Sequence, residues 1–363
     1  MSTIDRYIFK QMIFPFIFGL LIFTFSVTIN RILLLTQMVL NEGISVLAVL
    51  KLASLTIPDF MIITLPISFL LAVLAVFGKM TQDNEIAALT ASGVSMFKLT
   101  KPVIIFALIP LSISIFFSFY MAPRFNFFFR VLAVKEVKNA ALSALKKNMF
   151  TDRFGNLRIF VKDVNTNKNT LKGIFILNKV GNEPETLIAK RGVITYNQKQ
   201  NTLSLYLKNG IIQNQNPYSK NFWILHFDDY KINIKLRGLS FPGKNSSVHF
   251  LTFPQLTRRY LSEHNHKLKS MYLVYMYKKI AIPIAALLFV FIGLPLGMLI
   301  EKRSLFLAIF YTIIIVVIYY VLFTSGFYLS LRNQVNPFIG TWGADLFLVV
   351  LGIILYTKAF LRQ

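Results

Sequence analysis

Six apolar runs of about twenty residues each constrain this chain more than anything else in it. Backbone polar groups inside a hydrocarbon layer have no water to bond, so a run of that length is satisfied there as helix. The runs are Gln11 to Leu35, Leu52 to Phe77, Pro102 to Met121, Ile280 to Ile300, Leu305 to Leu329 and Phe338 to Tyr356. They explain why 55% of the residues are hydrophobic and why mean hydropathy reaches +0.59. The first run is too long for a signal-peptide core and lacks a small-residue cleavage site, so it reads as a retained span. An even number of spans places both termini on one side.

Orientation follows from the short loops, where Lys and Arg are held in the cytoplasm. Arg6, Lys10, Lys79, Lys98, Lys101, Lys302, Arg303, Lys358 and Arg362 fall on one side, against Lys51 and Arg332 in the short loops opposite. The termini are therefore expected in the cytoplasm and residues 123–279 outside. Net charge is +24, with 39 basic residues against 15 acidic. In a soluble protein that balance would point first to nucleic acid. Here 27 of the 39 basic residues lie between Pro123 and Lys279, so a nucleic-acid partner is not expected. Long loops cross largely regardless of charge, and the assignment stands. With no cysteine in the chain, disulfides, thiolate chemistry and Cys-ligated zinc are excluded.

Between spans three and four the pattern changes to short runs of β-branched and aromatic residues punctuated by Gly, Asn and Asp. Eight strands are expected: Leu157 to Lys162, Leu171 to Leu177, Thr186 to Lys190, Gly192 to Tyr196, Thr202 to Leu207, Gly210 to Asn214, Phe222 to Phe227 and Tyr230 to Leu236. That number of short strands fits a sandwich or jelly roll. A helix over Arg124 to Lys147 leads out of the third span, and another over Pro254 to Lys279 leads into the fourth. The chain thus reads as residues 1–122 with three spans, an inserted domain over 123–279, and three further spans over 280–363.

Few residues offer chemistry. Arg31, at the outer end of the first span, is either a headgroup anchor that snorkels or a phosphate contact, since a guanidinium does both. Asp59 beside Pro58 is a partner for it or simply a helix-start residue. The stretch Thr81 to Ser95 reads as a short cytoplasmic helix with Asp83 and Glu85 in its first turn and Gly93 to end it. Ile86, Leu89, Thr90 and Gly93 share one face, able to dock on a partner or lie on the inner leaflet. No phosphate-binding G-x-x-x-x-G-K-[ST] loop is present, so the chain is not expected to hydrolyse ATP. His226, His249, His264 and His266 all lie in the insert, and the last two read as a solvated face sooner than a metal pair. Gly293, Pro295 and Gly297 in the fourth span read as structural. No metal and no cofactor are expected.

The opening IDRYIFKQ, the block LTIPDFMIITLPISFLLAVLAVFGKMTQDNEIAALTASGVS and the stretch LRIFVKDVNTNKNTLKGIFI, with the six-span layout, resemble the LptF/LptG family of lipopolysaccharide-export permeases over nearly the whole chain. The likeness is somewhat greater to the LptF branch. It implies an α-helical membrane protein of the bacterial inner membrane with six transmembrane helices and a periplasmic β-jelly-roll domain between spans three and four. It also implies a non-hydrolysing permease subunit of an ABC transporter. The implied partners are a homologous permease subunit forming a heterodimer, a cytoplasmic ATPase dimer, a periplasmic bridge protein of jelly-roll fold, and lipopolysaccharide itself. By position Glu85 matches the acidic residue of the family's coupling helix, so Asp83, Glu85, Ile86, Leu89 and Gly93 are expected to meet the ATPase. Arg31 matches a basic position facing the lipid's phosphorylated sugars, and Phe160, Phe175 and Ile176 are expected on the apolar inner faces of the jelly roll, against which acyl chains would lie. The abundance of Lys and Asn in the insert departs from the family pattern. Two rival readings are a lipid-modifying membrane enzyme, which lacks a catalytic cluster, and a mechanical permease that carries no lipid.

Overall fold

The computed structural model describes residues 3–42, 44–144, 149–154, 157–165, 170–178, 185–197, 202–215, 222–235, 248, 250–299 and 305–361. His249, Lys302, Arg303 and Arg362 lie outside them. The chain forms two compact units, one of Met1–Ile29, Thr56–Asn126 and Val248–Gln363 and the other of Asn30–Leu55 and Phe127–Ser247.

Among the described residues six helices, lying wholly or in part in the first unit, are long and apolar enough to cross a membrane, and they match the six runs to within a turn or two at most ends. They belong to α1 (Thr3–Glu42), α3 (Ile57–Gln82), the α5 (Met96–Phe116) to α6 (Ala122–Ala144) stretch, α8 (His266–Leu299), α9 (Leu305–Leu331) and α10 (Pro337–Leu361). The second run begins later than expected. A short helix α2 (Val46–Ser54), capped by the Ser45 side chain on the Ala48 N–H at 3.2 Å, ends first, and α3 restarts with Pro58 in its first turn, where a missing N–H costs nothing. One π-helical turn, Phe117–Met121, joins α5 to α6.

The buried core of this unit centres on α3, whose Leu65, Phe69, Leu70, Leu74, Phe77 and Met80 are almost wholly enclosed. Packing replaces the hydrophobic drive between helices in lipid, so close approach matters. A Cβ on Gly293 would come 3.1 Å from Leu70 and Val73, and one on Gly297 would come 2.9 Å from the Phe77 Cβ. Those glycines of α8 therefore lie against α3, as the structural reading of them requires. The outer faces of α1 and α9 leave Phe14, Leu21, Phe25, Phe306 and Val321 exposed, as lipid-facing helices do.

The helix expected over Pro254 to Lys279 is two. α4 (Glu85–Ala91) lies earlier in the chain, and α7 (Phe253–Ser262) stops before α8. At the break the Glu263 carboxylate accepts from the His264 and Asn265 N–H groups, both at 3.1 Å, and the Asn265 side chain accepts from Lys267 N–H at 3.0 Å. His264 and His266 sit at this joint, and no group of metal-ligating side chains occurs among the described residues.

Among the described residues of the second unit six antiparallel strands pair each with its sequence neighbours: β1 (Phe150–Phe154), β2 (Leu157–Asn165), β3 (Thr170–Asn178), β4 (Glu185–Asn197), β5 (Thr202–Gln215) and β6 (Phe222–Lys235). Three of them each join two of the eight expected strands, and β1 was not expected. The cause lies in a crease across the sheet. Lys162, Gly173, Lys190, Asn209 and Asp228 fall in one row of the register, with Gly173 at φ +60° and Asn209 at φ +52°. Buried positions change phase there: Leu187 and Ala189 give way to Ile194, Leu205 and Leu207 to Ile212, and Leu171 to Ile174 and Ile176. In β3 and β5 the left-handed Gly173 and Asn209 shift the alternation by one, and β4 changes phase in the same row without one, so the apolar side chains stay on one face of a bent sheet.

Candidate functional site

Glu85 opens α4, between the end of α3 and the start of α5. Asn84 adopts a left-handed φ of +56° at the corner and Gly93 a φ of +81° at the exit, so the helix is a seven-residue elbow with both ends fixed by turn geometry. Asp83 is not in its first turn. It caps the C-terminal end of α3, its N–H donating to the Lys79 carbonyl at 2.9 Å. The Glu85 carboxylate accepts from the Tyr7 hydroxyl at 2.8 Å, which ties the elbow to the first turns of α1. Ile86 is only 3% exposed, and Leu89 packs on the same core. Their face thus looks into the protein, and the exposed residues of the elbow are Asp83, Asn84, Ala87, Ala88 and Ala91 to Gly93. Tyr7 lies within the opening IDRYIFKQ stretch, but nothing in the sequence pairs it with Glu85, 78 residues away.

Arg31 is half-buried in α1, its guanidinium 5.4 Å from the centroid of the Phe129 ring of α6. Cation–π stacking holds the flat group in place while leaving its edge N–H groups able to bond. Asp59 lies in the first turn of α3 and accepts from the Asn126 side-chain amide at 3.4 Å.

The three candidate acyl contacts separate onto two faces of the sheet. Ile176 is fully enclosed in the core with Ile159, Val161 and Ile174. Phe160 and Phe175, directly opposite each other in the register, point the other way and meet the Phe150 ring at 5.2 and 6.0 Å between centroids. Adjacent residues of a strand face opposite sides, so Phe175 and Ile176 do not share one surface.

Asp345 was overlooked. Apart from Asp59 it is the only carboxylate within the six apolar runs, and a lone acid in a span is a signal in itself. It is 3% exposed. One oxygen accepts from the Tyr319 hydroxyl of α9 at 3.1 Å, and the other has no hydrogen-bond partner among the described residues.

Six helices long and apolar enough to cross a membrane, interrupted after the third by a β-sheet, define a multi-pass membrane protein with an inserted β-domain. The family model of the lipopolysaccharide export system permease LptF/LptG matches residues 6–358, and the chain belongs to that family. It is accordingly a lipopolysaccharide-export permease of the inner membrane. No curated protein matches the chain.

Proposed function

We propose that the chain is the LptF-type subunit of an ABC exporter, paired with a homologous permease and driven by a cytoplasmic ATPase dimer. Its cargo, lipopolysaccharide, leaves the outer leaflet of the inner membrane and passes through the insert to a periplasmic bridge. The family match over residues 6–358 carries this reading. Termini in the cytoplasm put α4 on the ATPase side, where Glu85, held by Tyr7, transmits a push into α1 and α3. Arg31 contacts phosphate at the mouth of a cavity bounded by the first and fifth spans. The creased meander is the described part of a jelly roll, with Phe160 and Phe175 on one face available to acyl chains and Ile176 enclosed in the core on the other.

Glu85→Lys tests the coupling: the ATPase should no longer co-purify and export should stop, whereas full retention of both removes Glu85 from the interface. A photo-crosslinking residue in place of Arg31 should form a lipopolysaccharide adduct in active complexes. Active complexes that give no adduct would count against the contact.

A further inference from the structure

At the start of α3 and the entry of α8 into the apolar layer, a cleft of about 190 Å³ opens among Asp59, Ser118, Asn126, Tyr275, Lys278 and Lys279. The neighbouring π-turn explains part of it. An i→i+5 step leaves a carbonyl short of a partner, and the Lys279 ammonium supplies one, donating to the Ser118 carbonyl at 2.7 Å while the Ser118 hydroxyl donates to the Lys279 carbonyl at 2.9 Å. Lys278 has no such acceptor among the described residues. Its ammonium stands 4.7 Å from the centroid of the Phe327 ring, and neither lysine ion-pairs with Asp59 among the described residues. The cleft is therefore lined by two lysines and one aspartate, the carboxylate held among the described residues by a long bond from Asn126.

Two half-buried cations with spare donors call for an anion, and the exposed carboxylate beside them repels a simple one. A ligand that meets both demands carries a phosphate and an ammonium on one short linker. The apolar stretch of α8 begins at Ile280, one residue past the lysines, which places the cleft at the depth of lipid headgroups. We infer that this cleft is a binding site for a phosphoethanolamine-type lipid headgroup, its phosphate on Lys278 and Lys279 and its amine on Asp59. The site is independent of the cargo reading, because it needs only a resident zwitterionic lipid.

The purified full-length chain in detergent is titrated with short-chain phosphatidylethanolamine, short-chain phosphatidylglycerol and inorganic phosphate, with thermal stability as the readout. Phosphatidylethanolamine should raise the melting temperature saturably and bind about tenfold tighter than phosphatidylglycerol, the size of one charge-assisted hydrogen bond. Asp59→Asn should reduce that preference to about unity, and Lys278→Gln should weaken both lipids. Asp59 is exposed, so its variant folds even where the lysine variant does not, and the preference test stands on it alone. Equal responses to all three probes, a response to phosphate that matches the lipid, or a preference unchanged by Asp59→Asn would each overturn the assignment.

Discussion

Tyr319 and Asp345 show what a single polar pair does inside an apolar bundle. The tyrosine ring is fully buried between the Phe289 and Phe323 rings, and among the described residues its hydroxyl is the donor that reaches the Asp345 carboxyl. Removing one partner leaves the other buried with nothing to bond, which costs about 1–3 kcal/mol, while removing both is far milder. Tyr319→Phe should therefore lower the melting temperature of the purified protein clearly. Adding Asp345→Ala to it should recover part of that loss. A double variant less stable than the sum of the two singles would show that the carboxylate is held by something other than Tyr319. The same logic at Tyr7 predicts a smaller effect, since its bond to Glu85 is exposed. Tyr7→Phe should cost at most about 1 kcal/mol of stability. Its expected signature is functional: under the coupling proposal it weakens ATPase-driven export in reconstituted vesicles more than it changes melting.

Among elements, the sheet shows where sequence and structure part. The six spans were legible because hydrocarbon leaves the backbone one local solution and makes the signal about twenty residues long. The strands were legible only in pieces. Lys190 with Arg191, Lys208 with Asn209 and Asp228 with Asp229 carry the polar, turn-forming chemistry that ends strands, and here the strands run on through all three because neighbouring strands bend at the same row. Nothing local separates a turn from an aligned crease; only the partner strands do. The same pairing places Phe175 and Ile176 on opposite faces of the sheet, a division that strand alternation already implies for adjacent residues. Asn209 at φ +52° makes the crease testable. Asn209→Gly should be neutral, and Asn209→Val should cost about 1–3 kcal/mol because a branched side chain resists that conformation. Gly173→Val adds a steric conflict, a Cβ there lying 2.8 Å from the Lys162 Cβ. Limited proteolysis of the full chain reads both: new cuts confined to β2 to β6 are expected for the valine variants.

For the molecule as a whole the open quantity is sidedness, and the charge pattern makes a definite statement about it. The short-loop count predicts α4 and both termini in the cytoplasm and the β-sheet in the periplasm, even though most of the positive charge lies in the sheet-bearing segment. Proximity to the membrane is what the rule weighs, so the total should not matter. The absence of native cysteine makes the test clean, because each introduced thiol is the only one. Ser92→Cys lies in the exposed exit of α4, Gln334→Cys in the exposed turn between α9 and α10, and Lys231→Cys on an exposed strand position of β6. In intact spheroplasts a membrane-impermeant maleimide should label Gln334→Cys and Lys231→Cys and spare Ser92→Cys, and lysis should make all three equal. Labelling of Ser92→Cys before lysis would invert the protein. An inverted protein would place α4 beyond the reach of a cytoplasmic ATPase and remove the coupling reading with it.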